Sequence, residues 1–93
     1  MRLEWSAVAL ADLDRFAVFL HDRPPRLAAI VAQEILTKAQ VLESSPELGR
    51  PLGEDGRYRQ IVLEVLRAKY VFRYRTTADR IVIMRVFHGR EER

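Results

Sequence analysis

Apolar residues recur at two different periods along this chain: every three or four positions between residues 7 and 44, and every second position from residue 58 onward. The first period is that of an amphipathic helix, the second that of a half-buried strand. Residues 2–5 alternate briefly as a short strand, and Ser6 then offers a side-chain oxygen to the free N–H groups of a helix start. Trp5 before that cap and Leu10 after it have the spacing of a hydrophobic staple. Ala9, Leu13, Phe16, Ala17 and Leu20 mark the inner face of the first helix, which is predicted to end near His21, while Val8, Val18 and Phe19 widen the stripe. Asp22-Arg23-Pro24-Pro25 reads as a turn that opens a second helix. Its stripe is Leu27, Ala28, Val31, Ile35, Ala39 and Leu42, and Ser44-Ser45-Pro46 stops it.

Residues 44–56 are rich in turn formers and are expected to be a long connection. Three strand-like segments follow, 58–63, 70–75 and 80–87, with Thr76-Thr77-Ala78-Asp79 turning between the last two. The stretch 64–69 has no Gly, Asn or Pro, so the first hairpin lacks a marked turn. The order β-α-α-β-β-β predicts a single α+β domain over residues 1–93, with a helix hairpin packed on one face of a small antiparallel sheet. Along the last strand the all-aliphatic row Val82, Met84 and Val86 is expected to meet the helices, leaving Ile81, Ile83, Arg85 and Phe87 outside. In the strand before it Tyr70, Phe72 and Tyr74 share one face and Val71, Arg73 and Arg75 the other. With that parity Arg73, Arg75 and Arg85 form one exposed basic surface; the alternation itself leaves both parities open.

Charge sharpens that surface. Residues 57–90 carry nine basic side chains against two acidic ones, a net +7 within a chain of net +3. Such a patch attracts phosphates or an acidic protein segment; the plainer alternative is a set of solvated strand-face arginines. Zero cysteines exclude a disulfide scaffold, a zinc-thiolate site and a cysteine nucleophile. No apolar run approaches the ~18–20 residues of a spanning helix, and the first residues lack the apolar core of a secretory peptide, so no membrane role is expected. No metal site is predicted: His21, at a helix end, suits a partner of the helix dipole better than a ligand.

Several short motifs then fall in a telling order: Glu4-Trp5-Ser6, Asp12-Leu13, the proline turn before helix two, residues 42–46 leading into Gly49-Arg50-Pro51, Tyr58-Arg59, residues 70–74, and the tail Arg85-Val86-Phe87-His88-Gly89-Arg90. Together they resemble the ParE/RelE superfamily of toxins from type II toxin-antitoxin systems, on the ParE side. The resemblance implies the β-α-α-β-β-β fold, a cytoplasmic location, no cofactor, and a hetero-oligomer with a cognate antitoxin. It also implies one of two mechanisms. ParE-like members inhibit DNA gyrase by stoichiometric binding, whereas RelE-like members cleave mRNA on the ribosome and need a base, an acid and cations around the phosphorane. A non-toxic binding module on the same fold is the third possibility.

For ribonuclease chemistry the candidates are His88 as acid-base group, with Arg85 and Arg59 as phosphate partners. The lysine-rich cluster and tail tyrosine of RelE-like sites have no counterpart beyond Lys38 and Lys69. His88 reads equally well as a locally bonded strand-end residue, and Tyr58, Tyr70 and Tyr74 as packing groups rather than base-stacking ones. For binding a target or antitoxin, the candidates are Arg59, Arg73, Arg75, Arg85 and Arg90.

Overall fold

The structure is a computed structural model that describes residues 1–16, 24–54 and 56–91. Its elements run β1 (Arg2–Trp5), α1 (Ala7–Arg15), α2 (Pro25–Ala39), α3 (Val41–Ser44), β2 (Arg50–Pro51), β3 (Tyr58–Val65), β4 (Ala68–Thr76) and β5 (Arg80–His88). The expected β-α-α-β-β-β order is present, with helices packed on a sheet, and it contains one strand more than the alternation foretold. Residues 50–51, inside the predicted loop, pair with β3 and extend the sheet to the order β1-β5-β4-β3-β2. A two-residue edge strand containing Pro51 carries no alternation to read, and proline is tolerated there because an edge need not donate.

Strands β3 to β5 are antiparallel, as expected, and so is the added β2, whereas β1 runs parallel to β5, with Leu3 opposite Ile81 and Trp5 opposite Ile83. The sheet is therefore mixed. This follows from connectivity, since β1 and β5 are linked by the entire remaining chain and nothing forces them to form a hairpin.

α1 lies against β5, and α2 against β3. The core between helices and sheet holds Ala9 and Phe16 from α1 and its C-cap, Val31, Ile35 and Ala39 from α2, and Leu42 from α3. From the sheet come Val65, Tyr70, Phe72, Tyr74, Ile81, Ile83 and Val86. Ser6 caps α1 as expected, accepting from Ala9 N at 3.0 Å. Trp5 packs against the core while Leu10 stays 48% exposed, so the expected staple does not bury the pair and Ser6 fixes the helix start instead. The readings for Ala17, Val18, Phe19, Leu20 and His21, and for the turn at Asp22-Arg23, lie outside the described residues.

One expectation is reversed. Ile81 and Ile83, not Val82 and Met84, are fully buried against the helices, while Val86 is buried as expected. The pairing of β4 with β5 slips by one residue: Arg73 opposes Arg85, yet the next residue, Tyr74, opposes Ile83. Met84 is thus a bulge, and one extra residue moves every later side chain to the other face. A strand apolar on both parities gives strict alternation no means of locating that slip.

The close packing makes Ile35 a sensitive probe. Truncating it to Ala should cost about 2–5 kcal/mol, the range for deleting a buried isoleucine side chain. Urea unfolding of the Ile35→Ala protein, compared with the parent, checks this.

Candidate functional site

Two sets of side chains stand out, one on the sheet face away from the helices and one where α1 meets β5. On the outer face Arg73 and Arg85 are direct cross-strand partners, and Val71 opposes Phe87 one pair further on. Like charges directly opposite each other repel. Here each guanidinium lies over the same Phe87 ring, at 5.0 Å for Arg73 and 4.6 Å for Arg85, so the ring's negative faces offset part of that repulsion. Arg73 is further fixed by donating from Nε to Gln60 Oε1 at 2.9 Å. Arg75 continues the row, and its Nε is buried without a hydrogen-bond partner among the described residues. Val62 on β3 opposes Val71 and is 52% exposed, giving the basic row an apolar margin.

Arg85 is held from behind by Asp12, the one buried charged residue among those described, at 1% exposure. Oδ2 of Asp12 accepts from Arg85 Nε at 2.9 Å and from the backbone N–H of Val86 at 2.8 Å. Oδ1 accepts from Arg85 Nη2 at 3.1 Å and from Arg15 Nη1. The bulge takes Met84 and its neighbours out of the regular ladder, and helix-side groups serve them. Asp12 takes the Val86 N–H, and Ser6 Oγ donates to Met84 O at 3.1 Å. Burial pushes the Asp12 carboxyl up, but the hydrogen bonds from Arg85, Val86 and Arg15, with the Arg15 charge, outweigh it and hold the group below its ordinary value.

Arg15 extends the network to the tail. Its Nε and Nη2 donate to the two carboxylate oxygens of Glu91, both at 2.9 Å, a bidentate pair, and Nη2 also donates to Val86 O. The tail is pinned a second time where Gly89 N donates to Lys69 O at 2.8 Å. A Cβ at Gly89 would stand 2.9 Å from that carbonyl, so only glycine allows the approach. His88 opposes Tyr70 and sets its ring edge-on at 5.1 Å, on the helix side of the sheet. Its Nδ1 accepts from Arg90 N, and burial, aided by the Arg90 charge and opposed by Glu91, holds the imidazole below its ordinary value. At the other end of β4, Tyr74 Oη donates to Pro46 O and accepts from Gly49 N at 2.8 Å. Arg59 Nη1 donates to Glu47 O and Gly49 O. These bonds hold the Gly49-Arg50-Pro51 loop, where a Cβ on Gly49 would strike the Tyr74 hydroxyl at 2.7 Å.

Residues 3–93 match the family model described as the ParE toxin of the type II toxin-antitoxin system parDE. The chain belongs to the ParE toxin family. Toxin RelE1 of Caulobacter vibrioides is 32% identical over 88 residues, covering 95% of this chain and 92% of that protein. Among solved structures, a chain of the chromosomal ParDE toxin-antitoxin system from P. aeruginosa superposes with a TM-score of 0.67 at 25% identity, over 95% of each chain. A chain of the toxin-antitoxin complex RelBE2 from Mycobacterium tuberculosis shares the fold, with a TM-score of 0.55 at 24% identity over 94% of this chain and 95% of that one.

Within this ParE-family chain, Arg73, Arg75 and Arg85 do come together on one sheet face. Arg59 and His88 lie on the opposite face and oppose Tyr74 and Tyr70, four positions apart on β4 and so about 13 Å from each other along the strand. Arg90 is exposed in the tail turn. No group of three or more His, Cys, Asp or Glu residues among those described could hold a metal ion, and no described helix is long and apolar enough to cross a membrane. Asp12 enters the sequence only as part of the Asp12-Leu13 motif, with no role expected of its carboxylate. A signal was present: Asp12 falls on the inward stripe between Ala9 and Phe16, and a lone acid there must have a partner.

Because the folded pKa of Asp12 is depressed, its contribution to stability is complete above the unfolded aspartate value of about 3.9 and is lost as pH falls through the lower folded value. Asp12→Asn should cost about 3 kcal/mol at neutral pH, the low end for breaking a buried pair because both arginines stay partly hydrated. It should also flatten the loss of stability below about pH 4. Denaturant unfolding of parent and variant from about pH 2.5 to 7, below and above the unfolded aspartate value of about 3.9, reads both effects.

Proposed function

We propose that this ParE-family toxin is a stoichiometric inhibitor of DNA gyrase, acting in the cytoplasm and neutralised there by a cognate antitoxin in a hetero-oligomer. The observation that carries the reading is the dispersal of the groups an RNA-cleaving site would need. General acid-base catalysis requires its groups within hydrogen-bond reach of one reacting centre. His88 lies on the helix side against Tyr70, Arg59 is bonded to loop carbonyls about 13 Å further along β4, and Arg85 is on the other face, held by Asp12. A surface suited to recognition, by contrast, is built: Arg73, Arg75 and Arg85 in a row, preorganised by Phe87, Gln60 and Asp12.

That row fits an acidic segment of the antitoxin. Two guanidiniums opposed across one ring favour a carboxylate between them, and the buried Arg75 Nε favours an acceptor. Arg90 lies in the tail turn bonded to Lys69 rather than in this row, and Arg59 contributes through the loop it holds. The similarity to toxins found in ParDE and RelBE2 complexes supports an antitoxin partner. The competing reading is a RelE-like ribonuclease acting on ribosome-bound mRNA, and the identity to Toxin RelE1 makes it the comparison to run.

Purified protein should inhibit gyrase supercoiling and leave ribosome-bound mRNA intact. His88→Ala should keep toxicity within about twofold of the parent; a ribonuclease relying on His88 would instead lose ~10²-fold or more in cleavage rate. Cleavage of mRNA at codons by the parent, abolished in His88→Ala, would reverse the assignment. Charge reversal of Arg73 and Arg75 to Glu should weaken the antitoxin complex and shallow its dependence on salt, measured by titration at two ionic strengths.

A further inference from the structure

The hairpin between β3 and β4 turns in two residues, Leu66 and Arg67, closed by the pair Val65 and Ala68. Both have positive φ, 49° and 70°, and neither is glycine. Such a turn is normally built from Asn-Gly, because a side chain in the left-handed region meets its own backbone, at ~1–2 kcal/mol per residue. The strain contributes nothing to packing here. Leu66 is 52% exposed, Arg67 is exposed, and Arg67 makes no hydrogen bond or ion pair among the described residues. A fold indifferent to these two side chains would be more stable with smaller ones. The tip thus presents, at a strained and fixed angle, one aliphatic and one cationic side chain. Exposed Lys69 sits on the strand just behind, and Arg90 follows the tail turn bonded to Lys69 O.

We infer that the Leu66-Arg67 tip is a recognition element of the toxin, inserting Leu66 into an apolar socket of its protein target while Arg67 pairs with carboxylates on the rim. The charge around the tip selects an acidic rim: Arg67, Lys69 and Arg90 are all cationic, and the nearby acid, Glu64, is cross-strand to Lys69. A two-residue tip is also narrow, which suits a concave partner better than the broad row of Arg73 and Arg85 does. The inference rests on the reading that the chain acts by binding a protein target, and it places that contact away from the arginine row assigned to the antitoxin.

The double variant Leu66→Asn, Arg67→Gly separates strain from use. Installing the unstrained turn should raise the melting midpoint by about 5 °C and weaken growth arrest on induction in a bacterial host by roughly tenfold or more, the loss of one anchoring contact. With purified gyrase, the concentration needed to inhibit supercoiling should rise by a similar factor. Arg67→Glu alone should weaken both effects, and Arg67→Lys should retain most of them. A double variant that is more stable yet arrests growth like the parent overturns the proposal, as does one whose melting midpoint does not rise. If the parent arrests growth without inhibiting gyrase, the gyrase assignment fails by itself, and the growth readout still decides whether the tip is used.

Discussion

The carboxylate of Asp12 is the point on which the described structure turns. It is taken out of water and surrounded by donors from three sources: the Arg85 side chain, the Val86 backbone and the Arg15 side chain. A buried anion is costly unless so surrounded. Once it is, α1, the irregular end of β5 and the tail that follows through Glu91 can move only together. A helix packed solely by apolar contact could slide along the sheet, but one that places a charge beneath a bulge has a single register.

That constraint explains how one sheet can serve two purposes. The helix side needs an uninterrupted apolar surface, supplied by Tyr70, Phe72, Tyr74, Ile81, Ile83 and Val86. The other side needs fixed charge. The slip at Met84 lets β5 contribute Ile81 and Ile83 to the core and still deliver Arg85 and Phe87 to the outer face. The irregularity is thus what aligns Arg85 with Arg73 over a shared ring. Without the carboxylate to accept the Val86 N–H, the same slip would leave a buried donor unpaired.

Much of this was legible in the sequence. The two periodicities marked both main helices and the three long strands, because each buries one face and repetition records that. Ser6 as a cap and the shared sheet face of Arg73, Arg75 and Arg85 followed from residue type and parity, although all three side chains are half-buried. What escaped had physical reasons. β2 is too short for a period, and the parallel pairing of β1 depends on partners at the far end of the chain. The slip in β5 hides in a segment apolar on both sides. The turn at Leu66-Arg67 breaks the residue preferences by which turns are recognised. Asp12 stood in plain view on an apolar stripe, but its partners are 73 and 74 residues away along the chain.

The parallel pairing of β1 with β5 has a consequence for how the molecule comes into being. β1, at the sheet edge, pairs with β5, the last strand of the fold, with Leu3 opposite Ile81. While the chain is growing from its amino end, Arg2–Trp5 has no strand to join and Asp12 has neither Arg85 nor Val86 to receive it. Such long-range pairing delays folding until the final segment is available. A chain that stops before β5 therefore lacks both the β1 pairing and the complete arginine row, and the native surface arises only once residues 80–91 have been made. In a chain of the ParE toxin family, the surface that carries its charge is in this way tied to the synthesis of β5.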